Sequence, residues 1–318
     1  MRTSLVYALL ASPVLFAAWR TLLRRKVRGI PRNQERVLVL GASSGIGRSI
    51  ALQYAASGAK VCIVGRRQSE LEKVKSECVQ SRKTVADNTT FASIAADFTN
   101  PEDMVRVRTE IETTWGGIDT VIVCAGVSAI QPLLANAGLE NASSAKSTAQ
   151  ASAEDMQKAV DLVNAAAKGN FTGPLVAALA FFSSSSPSML LVSSLAAVVP
   201  APTRSVYAAT KGAALLLYQS IAMEHPAITF SFVMPSTVEG TFRSNAIDRG
   251  DGPDVHRETR NKGLKQDAVA ERCIQAVDAG EKHVFMPAIF CRTGHWLYWW
   301  MPWVTEAYAR KLYGFKDA

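Results

Sequence analysis

The sequence predicts a single α/β domain built on a doubly wound, mostly parallel sheet. Three features carry that expectation. Short apolar runs alternate with amphipathic stretches from Glu35 onward. The runs are apolar almost throughout, as strands covered on both faces must be. A glycine-rich turn also separates the first strand from the first helix. A chain of 318 residues with 48% hydrophobic content suffices for one large core.

Taken in order, RVLVLGAS reads as a strand and turn, and GRSIALQYAASG as a helix stopped by Gly58. KVCIVGR is a second strand, and QSELEKVKSECVQ a helix with charges paired at i,i+4. TTFASIAADFT, PEDMVRVRTEIETTWGG and IDTVIVCAG continue as strand, helix and strand. AEDMQKAVDLVNAAAK and NFTGPLVAALAFF read as one long helix or two. SMLLVSS is a strand, SVYAATKGAALLLYQSIAMEH a helix and ITFSFVMP another strand. Two stretches break the rhythm. The Ala/Ser/Asn-rich run around residues 135–155 reads as a surface insertion. Thr237 to about Asp267 follows a strand end, where α/β proteins place substrate loops.

Charge is concentrated at the start. Up to residue 36 there are eight basic residues against Glu35, so this segment holds +7 of the chain's +8. The body is nearly neutral, which argues against nucleic acid as a partner. Five scattered cysteines without CxxC spacing point to no metal and no disulfide, and to a reducing compartment. Ser4 to Trp19 is uncharged and followed by RTLLRRKVR. The run is shorter than the usual span of about 20 residues, and Pro13 interrupts it. A basic cluster after an apolar run keeps that side cytosolic. Residues 1–30 are thus expected to form a membrane anchor and basic stop, with the body in the cytosol, at the endoplasmic reticulum or a lipid-droplet surface. A catalytic domain is expected over 35–290. The 291–318 segment holds Trp296, Trp299, Trp300 and Trp303, which suit a membrane interface or a pocket-covering element. Asn88-Thr-Thr, Asn141-Ala-Ser and Asn170-Phe-Thr are glycosylation sequons expected to stay bare, and glycan on Asn141 would reverse the orientation.

The chemistry lies in four motifs. GASSGIG, with Gly41, Gly45 and Gly47, sits between strand and helix. There, glycines let backbone approach a pyrophosphate at a helix N-terminus. CAG spans Cys124 to Gly126, and Tyr207 and Lys211 in YAATK share one helix face. Ser194 lies thirteen residues before Tyr207. In this order the motifs resemble the short-chain dehydrogenase/reductase family over about Arg36 to Arg243, including a Rossmann-like fold. The chain departs from that pattern at Leu40, where a threonine is usual, and at Val123 and Cys124, which replace two asparagines.

The resemblance implies that Gly41, Ser43, Ser44, Gly45, Ile46 and Gly47 hold a nicotinamide cofactor. Ala125, Gly126 and Phe98 are implied beside it, with Asp97 on the adenine amino group. Pro235 and Val238 are implied at the nicotinamide amide. The implied catalytic residues are Ser194, Tyr207, Lys211 and Asn170, with Ser193 the second choice for the serine and Asn164 the competitor for the asparagine. Tyr207 would give its proton to a ketone oxygen that Ser194 stabilises. Lys211 would favour the phenolate and bind the ribose, while the asparagine would hold a water. The second strand ends in Gly65, Arg66 and Arg67 without an acid. Room for a 2′-phosphate beside Arg66 indicates NADP(H). The expected activity is reduction of a lipophilic ketone, with an oxidative hydroxysteroid- or retinol-type dehydrogenase as the alternative. A non-catalytic NADP(H)-binding scaffold is the reading from another class, and a homodimer stays open.

Overall fold

The computed structural model describes residues 29–82, 89–139, 150–182, 188–249 and 263–314. Seven parallel strands form one sheet in the order β3-β2-β1-β4-β5-β6-β7. They are β1 Arg36–Leu40, β2 Lys60–Gly65, β3 Phe91–Ala95, β4 Thr120–Val123, β5 Ser188–Val192, β6 Phe230–Pro235 and β7 His283–Met286. Side-chain alternation assigns each strand to two cores. Leu38, Leu40, Cys62, Val64, Val121, Val123 and Phe232 face one helical layer. Val37, Val39, Val61, Ile63, Ile122 and Val233 face the other. Burial on both faces explains the unbroken apolar runs.

The first layer is α3 Pro101–Trp115, α5 Gly173–Phe181 and α6 Ser205–Glu224; the second is α1 Gly45–Ala56, α2 Gln68–Ser81 and α7 Gln266–Asp278. Local chemistry sets several ends. Asn100 caps α3 by accepting from the Glu102 N–H, Pro101 opens the helix, and Gly116 closes it at φ 72°. Helix α1 begins at Gly45, two residues earlier than the sequence reading, so the last glycines of the turn belong to its first turn.

The stretch left open as one helix or two is continuous with a defect. Helix α4, Ala153–Ala167, passes through a π-turn at Lys168–Thr172 directly into α5. Such bulges cluster at functional sites, and this one carries Asn170. Among the elements that escaped the sequence reading are α7 and the four-residue β7, which extends the sheet beside β6. After β7 the chain forms two helices, α8 Ala288–Trp300 and α9 Pro302–Leu312.

The expected anchor segment (residues 4–19) and the sequon asparagines Asn88 and Asn141 lie outside the described residues. So do the middle of the Ala/Ser/Asn-rich insertion (140–149) and the middle of the substrate loop (250–262). Among the described residues no helix is long and apolar enough to cross a membrane. All five cysteines are free thiols.

Phe232 is fully buried at the centre of β6. Replacing it by alanine should cost about 3–5 kcal/mol, read as a fall in the midpoint of urea unfolding. A loss within about 0.5 kcal/mol, the range of surface substitutions, would contradict the assignment of β6 to the core.

Candidate active site

Strand order reverses between β1 and β4, and a crevice opens at the carboxyl ends of these strands, as doubly wound sheets require. The cleft has a volume of about 1610 Å³. Gly41 leaves β1 at φ +90°, and a Cβ there would lie 2.5 Å from the Ala125 nitrogen. A Cβ on Gly47 would lie 2.3 Å from the Gly41 oxygen. Both positions therefore need glycine: one to pass the β4 loop, the other to seat α1 on the turn. Gly45, at φ +62°, has open space around its Cβ position. The N-terminus of α1 has no side-chain cap from Ser44, and Ser43, Ser44, Gly45 and Ile46 line the cleft. This glycine cradle, at a helix N-terminus without a side-chain cap, fits the pyrophosphate of a dinucleotide.

Beyond the cradle, the basic end of β2 supplies a cation. Arg67 Nη2 donates to Ser43 Oγ at 2.9 Å and to Ser44 Oγ at 3.3 Å. The sequence reading favoured Arg66, which also lines the cleft; the contact that joins the strand end to the glycine turn is made by Arg67. Asp97 and Phe98 line the same region. Asp97 Oδ1 accepts from the Thr99 N–H and hydroxyl, at 3.0 and 2.9 Å. The Phe98 ring packs so closely on Gly173 that a Cβ there would meet it at 2.2 Å.

Tyr207 and Lys211 lie one turn apart on α6, buried and lining the cleft. Lys211 Nζ donates to the Val192 carbonyl at 3.2 Å, at the end of β5. The Tyr207 ring lies against the Arg204 guanidinium, 4.1 Å from its centroid, with Phe242 edge-on at 6.0 Å. Ser194 lines the cleft and its Oγ accepts from the Ala196 N–H at 3.2 Å. Ser193 is buried, and its hydroxyl has no hydrogen-bond partner among the described residues.

Asn170 is 0% exposed and stands behind the cleft wall. Its Oδ1 accepts from the Val127 N–H at 2.8 Å, and Nδ2 donates to the Val127 carbonyl at 3.0 Å and to Thr210 Oγ1 at 3.1 Å. Both amide protons are thereby engaged, so the side chain acts as a clamp between the β4 loop and α6. The competing Asn164 is exposed on α4. A buried Asn170 also makes its own sequon unreachable in the folded chain.

The remaining implied residues, Ala125, Gly126, Pro235 and Val238, line the cleft as well, whereas Gly47 does not. Val238 pairs with Leu264 in an isolated bridge. The bonds there are made by Thr237 O and Glu239 N, which leaves both polar groups of Val238 outside the ladder. Cys124, where the resembled family has asparagine, also lines the cleft; burial pushes its thiol up to about 11. It is protonated at neutral pH and no nucleophile. Sequence reasoning missed Arg67 as a partner of the turn, Thr210 and Arg204. Thr210 carried a faint signal as the one polar residue between Tyr207 and Lys211.

Fold and cleft together define a dinucleotide-binding α/β protein with a Ser-Tyr-Lys constellation at its switch point. A family model described as short chain dehydrogenase matches residues 35–251, and the chain belongs to that family. It is 28% identical over 220 residues to 11-beta-hydroxysteroid dehydrogenase 1A of Arabidopsis thaliana, a match covering 68% of this chain and 56% of that protein. The chain thus spans little more than half of that relative. It is 25% identical over 308 residues to Dehydrogenase/reductase SDR family member 7B of Bos taurus, covering 92% and 86%. Among solved structures, an alcohol dehydrogenase from Thermococcus sibiricus complexed with 5-hydroxy-NADP shares the fold. Its TM-score is 0.60 at 21% identity, covering 79% of this chain and 94% of that one.

A Cβ on Gly126 would lie 2.8 Å from Asn170 Oδ1 and 3.0 Å from Lys211 Nζ. Gly126→Ala should therefore displace both side chains and slow turnover about tenfold or more, since small misplacements in a site are costly. Steady-state rates on a folded variant check this; an unchanged kcat would show that the packing of Gly126 is immaterial.

Proposed function

We propose that the protein is an NADP(H)-dependent oxidoreductase that reduces the ketone of a lipophilic substrate to an alcohol. The observation that carries this reading is the Tyr207–Lys211 pair on the cleft floor, held against the β4 loop by Asn170. The cofactor, when bound, supplies hydride. Tyr207 donates its proton to the carbonyl oxygen, and Ser194 hydrogen-bonds that oxygen as negative charge develops on it. Lys211, anchored on Val192, holds a positive charge beside the phenol. Asn170 serves by positioning, through Val127 and Thr210.

NADP(H) is favoured by the two arginines after β2 and by the bond from Arg67 into the glycine turn. Relatives named as 11-beta-hydroxysteroid dehydrogenases favour a second reading, oxidation of a hydroxysteroid-like alcohol in the same site.

The C-terminal helices support membrane association. Trp299 and Trp300 are 73% and 76% exposed and stand outside the cleft, whereas Ile289, Leu297, Val304 and Tyr308 of the same two helices line it. One pair of helices thus walls the substrate space and shows aromatic surface outside. Such surface suits a bilayer interface, here the cytosolic face of the endoplasmic reticulum or a lipid droplet, alongside the apolar segment at 4–19.

Three outcomes are expected. Tyr207→Phe should slow NADPH oxidation on lipophilic ketones by about 10²–10⁴-fold while cofactor affinity, read by NADPH fluorescence, changes little; a near-normal rate would remove Tyr207 from the chemistry. Wild-type protein that binds NADPH yet turns over no ketone or alcohol would indicate a scaffold. Replacing Arg66 and Arg67 together by Asp should shift the NADPH/NADH preference about tenfold or more toward NADH; an unmoved ratio counts against the 2′-phosphate assignment. Finally, Trp299→Ser with Trp300→Ser should weaken co-sedimentation with phosphatidylcholine vesicles about tenfold, and undiminished binding would contradict a membrane role for this surface.

A further inference from the structure

Arg204 immediately precedes α6 and is 5% exposed, yet its side chain lines the cleft beside Tyr207. Its Nη1 donates to Ser128 Oγ at 3.1 Å and to the Ala129 carbonyl at 2.7 Å. A guanidinium has five N–H donors, and Nη1 is the one nitrogen of Arg204 engaged by the described residues. No acid among those residues pairs with it. Asp248 is near enough to act on it through charge. Both Asp248 oxygens, however, accept from the N–H groups of Ile130 and Gln131.

A second guanidinium stands nearby. Arg243 lines the same cleft, repels Arg204, and hydrogen-bonds Thr237 Oγ1 at 3.0 Å; it too lacks an acidic partner among the described residues. A buried charge without a counter-ion is costly, and two like charges facing one space compound that cost. An anion arriving in the cleft would offset both. The arginines after β2, at the glycine turn, are a separate group. Arg204 instead bonds the loop after β4 and touches the ring of the proton donor.

We propose that the substrate carries an anionic group, a carboxylate or phosphate monoester within a few bonds of its ketone, and that Arg204 and Arg243 bind it. The proposal rests on the reading of this cleft as the ketone-reducing site and narrows it. The substrate is then an acidic amphiphile, its charged end on the two arginines and its apolar part along Leu297, Val304 and Tyr308. Arg204 acquires two functions: binding the anion and, through its stacking on Tyr207, setting the distance between that anion and the carbonyl.

The test is calorimetric binding of octyl phosphate and of octanol to the full chain saturated with NADP⁺, which requires no turnover. Octyl phosphate should bind about tenfold tighter or more. Arg204→Gln should abolish that advantage and Arg243→Gln reduce it, while Arg204→Lys keeps part of it. Arg243 sits on a partly exposed loop, so its variant informs even if the Arg204 variants do not fold. Equal affinities for the two probes would overturn the proposal. So would octyl phosphate binding that saturating NADP⁺ displaces, because the arginines would then serve the phosphates of the cofactor. Selective phosphate binding in a protein that reduces no ketone would uphold the anion site and remove the reductase reading instead.

Discussion

The site depends on one buried amide. Asn170 uses its carbonyl and both amide protons to bind Val127 on the β4 loop and Thr210 on α6. The β4 loop forms one wall of the crevice, and α6 carries Tyr207 and Lys211. The clamp thus ties the helix that carries Tyr207 and Lys211 to the loop that borders the glycine turn. The π-turn at Lys168–Thr172 puts the amide there by inserting an extra residue into an otherwise continuous helix. The surrounding packing is matched to it. Gly126 has no room for a side chain, and a Cβ on Gly169 would sit 3.3 Å from Val127. A buried polar group this fully satisfied rigidifies its surroundings, whereas one left half-satisfied destabilises them.

Around this frame cations line the cleft: Arg66 and Arg67 by the glycine turn, Lys168 at the π-turn, Lys211 with its Nζ at the end of β5, Arg204 on the ring of Tyr207, and Arg243. Burial holds Arg204 below the ordinary arginine value and the proximity of Arg243 adds to that, but a guanidinium stays charged across the physiological range. The chain as a whole owes its positive charge to the first 36 residues. The concentration of cations in the cleft is therefore a local arrangement, suited to phosphates and to oxygen atoms that gain negative charge.

Much of this was legible in the sequence, for a physical reason. A strand–glycine turn–helix and a tyrosine four residues before a lysine are local patterns whose geometry follows from backbone periodicity alone. Seven residues of GASSGIG fixed where the cleft begins, and YAATK fixed what stands on its floor. The parts that were not legible depend on contacts distant in sequence. Arg204 reads as an ordinary arginine before a helix until the β4 loop, 75 residues away, meets it. Arg67 and Arg66 are adjacent and alike, and only the folded turn tells which one reaches the serines. The π-turn was hidden because Gly169, Gly173 and Pro174 weaken the helical pattern without ending the helix. Strand β7 is as short as β4, but with His283 exposed and only Val284 fully buried it lacks the unbroken apolar run that made β4 readable. The tryptophan run left an interface and a pocket cover as alternatives; in the structure Trp296, Trp299, Trp300 and Trp303 are exposed, while Leu297 and Val304 of the same helices line the cleft.

The central claim is that Asn170 serves catalysis by holding Tyr207 in register with the cleft. The most direct test is a double-mutant cycle on the single-turnover rate of NADPH oxidation, using Asn170→Ala, Tyr207→Phe and the two combined. If the clamp works through the tyrosine, the double variant should match Tyr207→Phe within about twofold. Losses that simply multiply would show that the asparagine acts independently of the phenol and would contradict the account.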